Sequence, residues 1–186
     1  MRSFSEIKKS FTKSELMSSL EGISFGLVDG SICALGAAVG IVTATNDPFL
    51  AILSILIFGL SDSFGNSAGF YLSQVSERNI QIMRKRMGRT QHVHTTRELF
   101  LNGVLTFVST FIIYILIGLP FVFLPLEQAL ISAVIIAALV TFLLGAYNAN
   151  IIKKDVIKTG MFYSGITVAT AIICYLFGLL LNNLFF

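Results

Sequence analysis

An all-α integral membrane protein with five transmembrane helices per protomer is the fold class this sequence predicts, and three observations predict it. The 186 residues are 55% hydrophobic and only 12% charged, with a mean hydropathy of +0.83 and no Trp, a balance unlike that of a soluble domain. Four apolar runs, at about 22–45, 99–124, 128–149 and 157–183, are each long enough to cross roughly 30 Å of hydrocarbon. The 13 Lys and Arg fall in only three segments: Arg2, Lys8, Lys9 and Lys13; Arg78, Arg84, Lys85, Arg86, Arg89 and Arg97; Lys153, Lys154 and Lys158.

That charge pattern supplies the fifth span. The stretch at about 48–73 starts apolar and turns small and polar, "GLSDSFGNSAGFYLSQ", so on composition alone it is the weakest. If it crosses, all three basic segments lie on one side, and if it does not, the pattern breaks. The positive-inside rule makes that side cytoplasmic, with the N-terminus inside and the C-terminus outside.

Residues 1–21 form an N-terminal tail too polar for a signal peptide. Phe4, Ile7 and Phe11 fall near one helical face with Lys8, Lys9 and Lys13 elsewhere, which predicts an interfacial amphipathic helix lying on the membrane. Residues 22–186 hold the five spans. Asp47 followed by Pro48 reads as an N-cap and first-turn pair opening the second, and Pro125 with Glu127 opens the fourth in the same way. Between the second and third spans, residues 74–98 read as a short basic loop. His92 and His94 within it are two apart, a spacing that does not place both on one helix face, so they read as solvated.

The net charge of +3 and pI near 9.0 come from these loops and fit topology and contact with anionic lipid; no nucleic-acid module is visible. Cys33 and Cys174 both sit inside spans, with neither a disulfide framework nor a zinc spacing. No nucleophile stands with a base in evident reach and no phosphate-cradling glycine motif occurs, so an enzyme is not expected.

Two of the ten acidic residues lie in membrane interior, Asp29 in the first span and Asp62 in the second. Each would cost several kcal/mol facing lipid as an anion, so each is expected to face protein, water or a cation. Asp29 shares its helix face with Gly22, Gly26, Cys33 and Gly36, and Gly22, Gly26 and Gly30 form a small-xxx-small series suited to close helix approach or a dimer interface. Asp62 shares its face with Gly65, Asn66 and Gly69. Counted from the cytoplasmic ends of two antiparallel helices, Asp29 and Asn66 both lie about 10 Å deep, and Cys33 and Asp62 one turn deeper, at about 16 Å. Two tiers of candidate metal ligands follow, Asp29 with Asn66 and Cys33 with Asp62. The alternative is that the carboxylates are neutral, hydrogen-bonded packing residues and Cys33 an apolar filler.

At these residues the chain resembles the vacuolar iron transporter family, five-span proteins that move Fe²⁺ and Mn²⁺ out of the cytoplasm. "ISFGLVDGSICALGAAVGI" is similar to the family's first-span pattern, "GNSAGFYLS" to its S-M-A-A-G-E-Y-x-S, and the last two spans to its placement of small residues and closing Y-x-x-G-x-L-L. The resemblance implies a homodimer with a metal path between the first two helices, and puts Asp29 at the translocation aspartate. It puts Asn66 where the family has a ligating methionine and Phe70 where it has a glutamate. The family's glutamate-rich cytoplasmic insert is absent.

The resulting expectation is a divalent metal transporter of the Fe²⁺/Mn²⁺ type, exchanging protons, with the metal as cargo rather than a bound cofactor. Its partners are the lipid bilayer, a second copy, metal ions and protons, and not nucleic acid. The membrane would be the plasma membrane in a prokaryote or a vacuolar or similar organelle membrane in a eukaryote. With Asn66 in place of methionine the lower tier offers only oxygen unless Cys33 joins the upper one, which predicts a site harder than the family's, carrying Mn²⁺ at least as well as Fe²⁺ and disfavouring Zn²⁺ and Co²⁺. The rival readings are a scaffold or metal sensor on the same fold, and a transporter of another cation.

Overall fold

In hydrocarbon a backbone has no partner but itself, so long apolar runs fold as helices that satisfy their own hydrogen bonds. The computed structural model describes residues 13–89 and 93–185, and five helices hold almost all of them. They are α1 (Lys13–Thr45), α2 (Pro48–Arg86), α3 (Thr96–Phe123), α4 (Leu126–Ile151) and α5 (Val156–Phe185). All five are long and apolar enough to cross a membrane.

Local sequence explains where they start and stop. The Asp47 side chain accepts hydrogen bonds from the Phe49 and Leu50 amides, at 2.8 and 3.3 Å, with Pro48 in the first turn of α2, the pairing the sequence predicts. Pro125 is the N-cap of α4 and offers no side-chain acceptor, leaving Glu127 in the first turn to meet the helix dipole. Asn46 closes α1 with a left-handed φ of 52°, a conformation Asn tolerates better than most residues.

Two boundaries differ from expectation. The division after residue 21 falls inside α1, which is described from Lys13 and whose candidate span runs from Leu20. The amphipathic helix expected around Phe4, Ile7 and Phe11 lies outside the described residues. Much of the loop expected at 74–98 is helix, because α2 runs 39 residues to Arg86, about 58 Å at 1.5 Å per residue. Its extension is held by polar side chains: buried Gln74 donates to Glu21 Oε2 at 3.3 Å, Arg78 to Thr96 Oγ1 at 2.9 Å, and Gln81 Oε1 accepts the His94 amide at 2.9 Å. Thr95 and Glu98 then form a capping box that starts α3. His94 is not the solvated loop residue expected: its side chain is 13% exposed, with Nδ1 3.4 Å from the buried carboxylate of Glu98. His92 lies outside the described residues.

The short links at 46–47, 124–125 and 152–155 make their flanking helices run in opposite directions, so the basic residues gather at the end holding the starts of α1, α3 and α5. Packing follows membrane logic, small residues inward and bulky ones outward. α4 buries Ala129, Ala133, Ala137, Thr141, Gly145 and Ala149 at four-residue spacing and turns Ile131, Ile135, Leu139 and Leu143 outward. α1 is central, packing against the other four helices and burying Ala34, Leu35, Ala38, Val39 and Val42.

The glycine series of α1 is spent inside the protomer. A Cβ on Gly22 would stand 2.6 Å from the Asn102 carbonyl oxygen, one on Gly26 would collide with Ser109 Oγ and Thr106 O, and one on Gly30 would lie 2.5 Å from Ile113 Cγ2, all on α3. Thr106 Oγ1 also donates to the Gly22 carbonyl at 3.2 Å. Gly36 meets Cys174 of α5. These four therefore serve helix packing and leave no free stripe for a second copy, whereas Gly65 and Gly69 on α2 have nothing within 4 Å of where a Cβ would sit.

Candidate functional site

The expected ligands come from two antiparallel helices, each supplying a pair one turn apart: Asp29 and Cys33 on α1, Asp62 and Asn66 on α2. The four side chains do meet. Asn66 Nδ2 donates to Asp29 Oδ2 at 2.7 Å and to Asp62 Oδ2 at 3.3 Å, and the Cys33 thiol lies 3.8 Å from the same Asp29 oxygen. Ligand atoms of Asp29, Cys33 and Asp62 all fall within 4.8 Å of one another, close enough for one cation to touch all three.

The two expected tiers are thus one cluster. A one-turn stagger along the axis is offset by side-chain reach: Asp29 points toward Cys33 and Asn66 toward both carboxylates, so the levels merge at Asp29 Oδ2. An oxygen-only lower tier does not exist as a separate site, because the thiol stands in the same group.

The surroundings are asymmetric along the helix axes. Toward the basic end, Phe25 of α1 and Phe70 of α2 pack with ring centroids 5.3 Å apart, one turn below Asp29 and Asn66. Toward the other end, a cavity of about 740 Å³ begins at Cys33 and Asp62 and continues between α1, α2 and α5 as far as Thr45 and Leu181. Its walls are mostly apolar, with Gly36 and Gly40 thinning the α1 side.

Three side chains at the site are not among the expected ligands. Tyr114 of α3 is almost fully buried, packs on Gly59 and brings its phenol against the Asp62 carboxylate at the inner end of the cavity. In "FIIYILIG" it looks like one more apolar-span aromatic, and nothing in that run marks the turn that faces α2. The meeting of Phe25 and Phe70 is likewise unannounced: the resemblance marks Phe70 only as standing where the family has a glutamate, although a spacing of four residues from Asp29 and Asn66 is the signal that puts both rings on the same faces.

The chain is similar to an uncharacterized protein of Methanocaldococcus jannaschii, 26% identical over 161 residues that make up 81% of this chain and 84% of that protein. No family model matches. What the site does has therefore to be read from its own chemistry.

Proposed function

We propose that the protein is a transporter that moves a divalent metal cation of the Fe²⁺/Mn²⁺ type out of the cytoplasm in exchange for protons. The observation that carries this reading is the meeting of Asp29 and Asp62 from two different spans, with Asn66 and Cys33, at one point inside apolar helices. Two carboxylates brought together in such a place repel each other and lose hydration, and a divalent cation relieves both costs. Loss of the cation leaves carboxylates that can take up protons instead, which gives exchange a physical basis.

The outward direction is supported by the basic residues, which gather at one end of the bundle, the end that the positive-inside rule assigns to the cytoplasm. The Phe25 and Phe70 pair then stands on the cytoplasmic side of the cluster and the 740 Å³ cavity on the outer side. The resemblance to vacuolar iron transporters adds support through Asp29. A homodimer is part of the proposal, formed through α2, where Gly65, Gly69 and the exposed Leu72 leave a face uncovered. The membrane is that of a prokaryotic cell or of a vacuole-like organelle.

The test is flux into liposomes carrying a metal-sensitive dye. Entry of Mn²⁺ or Fe²⁺ coupled to a counterflow of protons is the expected result. Entry of an organic cation alone would reassign the cargo, and no flux of any cation would make the protein a scaffold or sensor.

A further inference from the structure

Resting on the reading of the cluster as a metal site, we infer that Cys33 is its specificity-determining residue, supplying a thiolate that favours thiophilic ions such as Fe²⁺, Co²⁺ and Zn²⁺ over Mn²⁺ and Mg²⁺. Its thiol is 3.8 Å from Asp29 Oδ2 and shares a 4.8 Å sphere with both carboxylates, the spacing at which one ion bridges them. The other groups that converge there are two carboxylates, an amide and the Tyr114 phenol, all hard donors. Among the described residues the one soft atom of this group is the Cys33 sulfur, and it therefore decides the class of the site.

The position of Cys33 is also unlike that of a packing residue. A thiol inside a span is ordinarily an apolar filler, and Cys174 fits that description, half-buried with its sulfur against Gly36. Both thiols line the cavity, but among the described residues it is the Cys33 sulfur that joins the group with Asp29 and Asp62. Coordination breaks its S–H bond, forms a metal–sulfur bond and releases one proton to solvent, so binding at this site is itself a metal-for-proton exchange.

The experiment uses the full-length protein in lipid nanodiscs, with Cd²⁺ as a probe of thiolate coordination through its ultraviolet sulfur-to-metal charge-transfer band, and with Zn²⁺ and Mn²⁺ affinities measured by calorimetry. The band is expected in the parent and in Cys174→Ser and absent in Cys33→Ser. The Cys33→Ser protein should bind Zn²⁺ about tenfold or more weakly while its Mn²⁺ affinity changes by less than about threefold, which also shows that the cluster is still assembled. A band that survives in Cys33→Ser, or equal losses for Zn²⁺ and Mn²⁺, overturns the assignment. A parent with the band but without flux supports the thiolate and removes the transport reading. Flux without a band does the reverse.

Discussion

The Asn66 amide nitrogen lies 2.7 Å from an oxygen of Asp29 and 3.3 Å from an oxygen of Asp62, so one side chain ties two helices together through two carboxylates. Charge-assisted bonds of this kind are stronger than neutral ones. An amide is also reversible: turned over, it offers its carbonyl oxygen to a cation in place of its N–H to a carboxylate.

Replacing Asn66 with Met removes both hydrogen bonds and adds a soft donor. Asn66→Met is expected to raise the preference for Fe²⁺ over Mn²⁺ by about threefold or more in competition flux, as a thioether favours softer ions. An unchanged preference would mean that Asn66 only holds the helices together.

The glycines of α1 and α2 should behave differently. Gly26→Leu drives a side chain into Ser109 and Thr106 of α3, and is expected to destabilise the protomer by at least about 1–3 kcal/mol, read as a lower melting temperature. Gly65→Leu meets open space, so the protomer should melt as the parent does while the dimer weakens, read by light scattering in mild detergent. Equal effects on protomer stability would remove the case for α2 as the dimer face.

The start of α3 offers a separate check on the basic end. Thr95→Ala breaks a capping box and is expected to cost about 0.5–2 kcal/mol in stability. Metal binding by purified protein should be unaffected, since the box stands at the end of the bundle, beyond the Phe25 and Phe70 pair.

The spans were legible because hydrocarbon leaves so few choices: run length, charge placement and the Asp47–Pro48 cap are local signals that tertiary structure has no cheap way to override. The pairing of Asp29 with Asn66 was legible too, since two antiparallel helices entered from opposite ends bring equal counts to equal depth. Depth along an axis says nothing of how far a side chain reaches, and this is why Cys33 and Asp62 were placed a tier away from a cluster they belong to. Gly22, Gly26 and Gly30 marked a close approach without naming the partner, because α3 and a second copy ask for the same small surface. The α2 extension was hidden for another reason. Its charges resemble a loop, and only Gln74, Gln81 and the Thr95–Glu98 box, which act once α1 and α3 are alongside, make it a packed helix.

Asp29→Asn tests the central claim most directly, because the substitution keeps the shape of the side chain and removes the charge that would replace the hydration of a cation. The measurement is the initial rate of Mn²⁺ and Fe²⁺ entry into dye-loaded liposomes holding equal amounts of parent and variant protein, each shown to elute and melt alike. The expected result is a variant rate lower by about a hundredfold or more, at the level of protein-free vesicles, as befits loss of a buried charged ligand. A variant that carries either ion at the parent rate would contradict the account.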